Sequence, residues 1–253
     1  MWLIEYKDLI ENLVLSDLKV KYKNSILGFG WSILNPLFTM IILVFVFSNM
    51  LRVDIENFPV FLLCGLTCWR FFANGTISSL WSLIGKSHIV KKIYFPREIL
   101  VLSVVLSNMI SIILEFIVFF IILILLIGEV HKTIILFPLI LLLEFILVFG
   151  IGLFLAIATV YFRDLVQIWE ITLQAGFFLT PTIYSVSMIP PEYLPYYLLN
   201  PMTRLMEMYR SIFMYGVVPK VYDLAVVGIS CIVIFAIGFL FFKKFEPRVG
   251  EVV

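Results

Sequence analysis

The sequence is poor in charged residues and in the side chains that most enzymes use for chemistry. Asp, Glu, Lys and Arg make up 14% of its 253 residues, against about 25% in soluble domains. It has two histidines and three cysteines. It also lacks the G-x-x-x-x-G-K-[ST] loop that cradles nucleotide phosphates. These shortages argue against a soluble domain, a metal centre, a bound cofactor and an ATP site in this chain.

Apolar residues dominate instead, at 62% of the sequence, with a mean hydropathy of +1.11. Several apolar runs approach or exceed the ~20 residues that a membrane-spanning helix needs. They lie at 32–50, 58–83, 99–127, 134–160, 166–187 and 223–242. We therefore predict an all-α membrane protein with a single transmembrane domain over 1–253 and six transmembrane helices.

The positive charges predict the orientation of these spans. Six spans place both termini on one side, and we assign that side to the cytoplasm because Lys and Arg are enriched there. The inner side then receives Lys7, Lys19, Lys21, Lys23, Lys86, Lys91, Lys92, Arg97, Arg163, Lys243, Lys244 and Arg248. The outer side receives Arg52, Lys132, Arg204, Arg210 and Lys220. We expect a multi-pass protein of the plasma (inner) membrane. We find no internal repeat of the kind that builds secondary transporters.

The stretch 188–220 is too short to span twice and too apolar for a solvated loop. Prolines interrupt it, and non-helical backbone at membrane depth occurs only where protein or a water-filled cavity satisfies its polar groups. We predict a re-entrant segment that forms an outward-facing gate and buries its aromatic and methionine side chains. The predicted gate residues are Pro181, Tyr193, Tyr196, Tyr197, Met202 and Met206. The alternative is an aromatic belt at the outer headgroup layer.

Two features belong to the predicted cytoplasmic side. Residues 1–24 carry apolar side chains at helical spacing between charged ones, which is typical of an interfacial amphipathic helix. The loop before Pro96 is long enough for one or two helical turns, and its apolar residues on a basic background indicate a docking site for a partner protein. The residues of that site are Lys86, His88, Ile89, Lys92, Ile93, Tyr94 and Phe95. A loop that lies against the membrane is the alternative.

Ionisable residues inside apolar spans are expensive and are functional candidates by default. Arg70, Glu115 and Glu144 lie within the second, third and fourth predicted spans, and Glu170 lies near the cytoplasmic end of the fifth. Arg70 and Glu115 are each near mid-span, so we predict a mutual ion pair. Such a pair either locks helices together or belongs to a proton relay, and a relay normally needs further titratable groups.

Aromatic residues are frequent, at 16% of the sequence. Aromatic rings stack on the apolar C–H faces of sugars, so an aromatic passage suits saccharides. The predicted passage residues are Trp31, Asn35, Phe38, Thr39, Phe45, Phe177, Phe178 and Tyr184. The alternative is that these aromatic side chains face lipid or pack against other helices.

Five motifs in order along the chain resemble those of type-2 ABC transporter permeases that export polysaccharides such as O-antigen, capsule and teichoic acid. The motifs are SDLKVKYKNSILGFGWSILNPL at 16–37, YFPRE at 94–98, YFRD at 161–164, LQAGFFLTP at 173–181 and LNPMT at 199–203. The resemblance covers nearly the whole chain. The sequence departs from the family at Pro181-Thr182-Ile183 and at Arg70, so no family role is transferred to Arg70.

The resemblance implies a homodimer bound to two ATP-hydrolysing subunits, which would hold ATP and Mg²⁺. Its cargo would be a lipid-linked polysaccharide, threaded between the two copies of spans one and five. Residues 86–95 would form the coupling helix region, 2–23 the interfacial helix and 190–215 the outward gate. The resemblance implies no enzymatic activity in this chain and no nucleic-acid partner.

Two other interpretations stay open at this stage. One is a permease of the same class that exports a lipid or a drug. The other is a membrane-embedded glycosyltransferase or ligase that uses polyprenyl-linked sugars. That class of enzyme needs charged groups gathered in one polar loop, whereas the charges here are scattered.

Overall fold

The computed structural model describes residues 5–22, 30–50, 55–90 and 95–249, and the regular structure in these ranges is helical without a β-strand. The α-helices are α1 Lys7–Tyr22, α2 Gly30–Val44, α3 Phe58–Leu80, α4 Ser87–Val90, α5 Glu98–Ile127, α6 Phe137–Tyr161, α7 Leu165–Leu179, α8 Leu194–Leu199, α9 Pro201–Phe213 and α10 Val221–Phe245. A π-helical segment at Phe45–Met50 extends α2. Short 3₁₀ helices lie at Lys132–Leu136, Val186–Met188 and Glu246–Arg248.

Four helical stretches in the described ranges are long and apolar enough to cross a membrane. They are Phe58–Leu80, Glu98–Ile127, Lys132–Tyr161 and Val221–Arg248. The helices α2 and α7 are apolar but shorter. Each of the six predicted apolar runs therefore contains a helix, although only four of these helices meet the length criterion.

The helix α3 lies at the centre of the bundle and contacts α2, α5, α6, α7 and α9. It is buried on nearly all sides, which is why its sequence is apolar around the whole helix rather than along one stripe. Asn57 precedes α3 with φ of 51°, a left-handed conformation that Asn tolerates better than most residues. Pro59 lies in the first turn, where its missing N–H leaves no helix bond unmade.

Small residues bring α6 and α10 together. A Cβ atom on Gly150 would lie 2.5 Å from the Cα of Phe235, and one on Gly238 would lie 2.0 Å from the carbonyl oxygen of Gly150. Side chains at either position would force the helices apart, so the close crossing depends on both glycines. Close approach at small residues is a common way for helices to associate within membranes.

The helix α7 is shorter than its predicted span. The span was predicted over 166–187, but the helix ends at Leu179 after 15 residues. Thr180 adopts an extended conformation with ψ of 139°, because the ring of Pro181 disfavours helical geometry in the residue before it. The segment 180–183 is buried in the protein, so its non-helical backbone is shielded from lipid.

The helix α1 packs along α5 with its apolar side turned to the protein. Leu13 and Val14 are buried, and Tyr6, Leu9 and Ile10 contact the same hydrophobic core. These apolar residues therefore pack against the helical bundle.

Candidate functional site

A groove of about 450 Å³ lies between α3 and α7. The side of α3 contributes Trp69, Ala73 and Ile77, which share one face because they are four residues apart. The side of α7 contributes Glu170, Leu173, Gln174, Phe177 and Phe178. The groove thus combines aromatic surfaces with one carboxylate and one amide, which can hydrogen-bond to hydroxyl groups. This combination suits a polyhydroxylated ligand with apolar C–H faces.

Close contacts hold α7 against α3 along this groove. The indole N–H of Trp169 donates to the hydroxyl oxygen of Thr76 at 3.0 Å. The rings of Trp69 and Phe177 meet edge to face, with centroids 6.1 Å apart. A Cβ atom on Gly176 would lie 2.9 Å from the Trp69 ring, so glycine permits this approach. These contacts between α3 and α7 therefore fix the distance between the two walls of the groove.

The predicted passage residues of α2 lie mostly on one exposed face. Trp31, Asn35, Phe38 and Phe45 are exposed, and their spacing of four, three and seven residues keeps them on one side of the helix. Thr39 is half-buried, and its hydroxyl donates to the carbonyl oxygen of Asn35 at 2.9 Å. None of these residues lines the α3–α7 groove, so a single chain does not bring the two predicted walls together.

The predicted passage residues near the end of α7 do meet each other. Phe177 is half-buried and Phe178 is exposed, with ring centroids 5.3 Å apart. The hydroxyl of Tyr184 donates to the carbonyl oxygen of Phe178 at 2.9 Å, so Tyr184 closes the turn that follows the helix. Phe177 and Phe178 belong to the groove, whereas Tyr184 supports its end.

A fully buried arginine fastens α9 to the segment after α7. The Arg210 guanidinium donates to the carbonyl oxygen of Thr182 at 2.9 Å and to Glu207 at 3.0 Å. It also lies 3.5 Å from the ring centroid of Phe61 on α3, a cation–π distance. A Cβ atom on Gly65 would lie 2.6 Å from the same Thr182 oxygen, so glycine leaves room for this junction.

The start of α9 is tied to the same segment. The Asn200 side-chain oxygen accepts from the backbone N–H of Met202 at 3.0 Å, which caps the helix. The Asn200 amide also donates to the hydroxyl of Thr180 at 3.2 Å. Contacts at the N-cap residue Asn200 and, 10 residues later, at Arg210 therefore hold α9 to residues 180–183.

Glu144 joins three helices inside the protein. It is fully buried on α6 and accepts from the hydroxyl of Tyr209 on α9 at 2.8 Å. The thiol of Cys68 on α3 donates to its other oxygen at 3.4 Å. We predicted Glu144 as an intramembrane charge, and its partners explain how a polar group is accommodated there.

The predicted ion pair between Arg70 and Glu115 is confirmed. The guanidinium of Arg70 bonds both carboxylate oxygens, at 3.1 and 3.3 Å. This bidentate pair joins α3 to α5 and matches the planar geometry of both groups. Glu170, the fourth candidate, is exposed and lines the groove.

The predicted gate divides into buried and exposed residues. Met202 and Met206 are buried on α9, as predicted, and Pro181 is buried in the segment that follows α7. The prediction that the tyrosines are buried is wrong for the single chain. Tyr193 and Tyr196 are 56% and 71% exposed, and Tyr197 is half-buried. The reason is that Tyr193 and the short helix α8 that follows it pack mainly against α9, which is too small a surface to bury these rings.

The predicted docking loop is partly described. The helical turn expected before Pro96 is present as α4, Ser87–Val90. His88 is exposed and Ile89 half-buried, but the ammonium of Lys86 is 2.7 Å from Asp17 on α1. The assignment of Phe95 to an exposed surface is wrong, because its ring is 5% exposed in the core. The predicted contacts Lys92, Ile93 and Tyr94 lie outside the described residues.

The sequence interpretation missed Arg210, Tyr209 and Trp69. We had placed Arg210 among the outer positive charges, although the structure buries it completely. The available signal was the helical spacing of apolar residues after Asn200, which predicts that one face of α9 is buried. The spacing of Trp69, Ala73 and Ile77 was a similar signal for the groove.

The sequence is similar to a family of membrane transporters and to named members of it. Residues 9–214 match the family described as ABC-2 type transporter. A Klebsiella pneumoniae protein named O-antigen export system permease protein RfbA is 31% identical, over 97% of this chain and 95% of that protein. A Myxococcus xanthus protein of the same name is also 31% identical, over 96% and 95%. The Escherichia coli polysialic acid transport protein KpsM is 24% identical, over 94% and 93%.

The helical bundle and its apolar helices indicate a membrane protein, and the family match makes it a transport protein. The chain belongs to the ABC-2 type transporter family, and it is a permease subunit of a polysaccharide exporter. In this family the ATPase activity resides on a separate subunit, so the chain is not the enzyme of the complex. Family membership also sets aside the glycosyltransferase interpretation.

Proposed function

We propose that this permease moves a lipid-linked polysaccharide, of the O-antigen or teichoic-acid kind, from the cytoplasmic side outward. It would act as a homodimer with two ATP-binding subunits. The observation that carries the proposal is the similarity over nearly the whole chain to relatives named for O-antigen export. The relative named for polysialic acid transport supports a polymer of sugars as the cargo class.

We infer six membrane spans with both termini in the cytoplasm of the plasma (inner) membrane. The four long helices α3, α5, α6 and α10 would cross completely. The helix α7 is ~22 Å long at 1.5 Å per residue, shorter than the ~30 Å hydrocarbon core. Its buried continuation at 180–183 and α9 would occupy the remaining depth on the outer side. The helix α1 would lie along the inner membrane surface.

The passage would form between two copies of the chain. A twofold axis places the same surface of each protomer opposite the other. The exposed face of α2 and the α3–α7 groove are two aromatic surfaces that remain uncovered in one chain. Their union in a dimer would surround a sugar chain with rings and a few polar groups, including Glu170 and Gln174.

Cysteine labelling tests this assignment. We expect single cysteines at Phe38 and Phe45 to react with a membrane-impermeant thiol reagent during transport, because the passage admits water. A cysteine at Leu240, which is 68% exposed on α10, is the matched control and should stay unlabelled in lipid. Labelling that is absent at positions 38 and 45 in every nucleotide state would reject the assignment.

We propose that ATP and Mg²⁺ bind the partner subunits and that α4 transmits their motion to the permease. His88 is exposed in this turn, so a negative charge introduced there should weaken docking without disturbing the core. We expect His88→Glu to lower cargo-stimulated ATP hydrolysis several-fold in the purified complex. Lys220→Glu, which alters an exposed residue on the predicted outer side, should leave it unchanged. Equal rates in the two variants would argue against α4 as the coupling element.

Deletion of the gene tests the cargo class directly. We expect surface polysaccharide to be lost while its lipid-linked form accumulates inside the cell, and the intact gene should restore export. A cell that keeps its surface polysaccharide, but retains another lipid or a drug, would support the alternative exporter of the same class.

A further inference from the structure

The groove between α3 and α7 has a polar end and an aromatic end. The indole N–H of Trp169 donates to Thr76 at 3.0 Å, so the next residue, Glu170, lies beside the C-terminal part of α3. Further along α7, the ring of Phe177 meets that of Trp69, nearer the start of α3, at 6.1 Å. The two helices therefore run antiparallel, and a ligand that moves along the groove meets the carboxylate and the aromatic rings in succession.

The carboxylate of Glu170 is the one charge on the described groove walls. Eight described residues line the groove, and the other seven are uncharged, so the lining sums to −1. Glu170 is exposed, and no cation among the residues that the structure describes lies within ion-pairing distance of its carboxylate. The groove thus presents a negative charge to whatever enters it.

The surroundings of Glu170 strengthen the effect of this charge on a ligand. Apolar side chains, including Leu173 and Ile77, form the walls beside it. Like charges repel more strongly where the dielectric constant is low, and a cleft with apolar walls focuses the field of its charges. A twofold axis would supply the same carboxylate twice. Rings of carboxylates select against anions in ion channels for this reason.

The chemistry of the groove favours sugars that carry no negative charge. Glu170 and Gln174 are one helical turn apart on α7, and both accept hydrogen bonds from hydroxyl groups, with the ionised acceptor making the stronger bond. The ring of Phe178 is exposed to pack on apolar C–H faces, and such rings also attract ammonium groups. A sugar with its own carboxylate would instead bring a like charge to Glu170.

We propose that the α3–α7 groove selects sugar polymers whose repeating units are neutral or amino-substituted, and that Glu170 excludes acidic polymers. The inference rests on the proposed function, because it takes the groove as part of the passage. A single phosphate at the lipid end of a polymer passes Glu170 once, whereas an acidic polymer meets the carboxylate with every repeating unit. The selection therefore acts on the composition of the sugar chain.

Charged thiol reagents test the charge of the groove in the purified permease–ATPase complex. Gln174→Cys places a thiol at an exposed position one turn from Glu170, and the three native cysteines are buried. Each rate of modification is divided by the rate of the same reagent with a free thiol in solution. We expect a cationic methanethiosulfonate reagent to react about tenfold faster than an anionic one, because the carboxylate attracts one and repels the other.

Variants of Glu170 assign this ratio to its carboxylate. In the background of Gln174→Cys, Glu170→Gln should bring the ratio of the two rates to about one, and Glu170→Asp should keep most of the preference. Asp164→Asn is the matched control, since it removes an exposed carboxylate that precedes α7 and does not line the groove. It should leave the ratio unchanged. An unchanged ratio in Glu170→Gln, or a ratio of one before Glu170 is altered, would overturn the proposal.

Protection by oligosaccharides tests the selection itself. The probes are oligomers of glucose, of glucosamine and of sialic acid with equal numbers of units, and each unit of the last carries a carboxylate. We expect the first two to slow modification of the thiol at position 174 by an uncharged reagent. The sialic acid oligomer should need about a tenfold higher concentration for the same protection, and Glu170→Gln should remove this difference.

The outcomes separate this inference from the proposed function. Equal protection by all three oligomers, with Glu170 in place, would reject the selection and leave the groove as part of the passage. Protection by none of them would reject the groove as part of the passage, and the selection with it. Protection by the sialic acid oligomer alone would reverse the proposed selectivity and reject it.

Discussion

The helices α8 and α9 follow one another in the chain and differ in nearly every physical respect. None of the six residues of α8 is buried, whereas nine of the 13 residues of α9 are. Both begin with a proline-containing turn, and both come from the stretch that predicted a single gate. The difference arises because α9 packs against α3, α6 and α10, while α8 contacts mainly α9.

This contrast assigns different tasks to the two helices. The helix α9 is an anchor, since Asn200 and Arg210 fasten it to residues 180–183 and Tyr209 fastens it to α6. A displacement of the end of α7 must therefore move α9 with it or break these bonds. The helix α8 and the residue before it present Tyr196 and Tyr193 to their surroundings, so this part can meet a second protomer or a cargo.

The largest effect should follow from removing the buried charge of α9. Arg210→Met keeps much of the side-chain volume but loses the bonds to Thr182 and Glu207 and the contact with Phe61. We expect a loss of about 3 kcal/mol in stability, mainly from the buried bond to Thr182 and the desolvated cation–π contact, because Glu207 is partly exposed. Unfolding can be measured with a thiol-reactive dye, because the three cysteines are buried in the folded chain.

The control for this variant is Arg163→Met, which removes the same charge from an exposed position. It should unfold at the same temperature as the parent. If Arg210→Met were equally stable, the anchor role of α9 would have to rest on apolar packing alone.

A smaller effect should follow from Tyr209→Phe. This change removes one hydroxyl and leaves the ring, which stacks with Phe213 at a centroid distance of 5.8 Å. Glu144 then loses its 2.8 Å bond while staying buried, so we expect a loss of about 1–2 kcal/mol. The same dye assay measures it. Tyr222→Phe, at a residue 69% exposed, is the matched control and should change nothing.

Local sequence patterns were sufficient to predict much of the fold. Runs of apolar residues predicted the helices of all six segments, and the shared depth of Arg70 and Glu115 predicted their ion pair. These features depend on local sequence patterns or on charged residues, and a single sequence shows both. The end of α7 was not predicted, because the apolar run continues to 187 whereas the helix stops at Leu179, before the extended Thr180 and Pro181.

Long-range packing accounts for what the sequence did not reveal. Arg210 appears in sequence as one more outer charge, and only the approach of Thr182 and Phe61 makes its burial tolerable. Phe95 appears as an exposed docking residue, and only the fold around it shows that it belongs to the core. The groove requires Trp69 and Gln174, which are about a hundred residues apart, to face each other.

The smallest effect on stability, and the sharpest test of the contrast, should follow from Tyr193→Ala together with Tyr196→Ala. Both side chains are exposed in one chain, so their loss should change stability by less than about 0.5 kcal/mol. If they seal the outer end of a dimeric passage, the variant should nevertheless leak ions at rest. Conductance across planar bilayers measures this leak.

The contrasting variant in this experiment is Arg210→Met, which alters α9 and leaves both tyrosines in place. It should lower the unfolding temperature, whereas the tyrosine variant should raise conductance at an unchanged unfolding temperature. An open pore wide enough for a sugar chain would leak continuously, so some resting seal is required. A double tyrosine variant that is as tight as the parent and still exports would show that these rings form an aromatic belt at the outer headgroup layer. The seal would then have to come from the aromatic face of α2, where Phe38 and Phe45 are exposed.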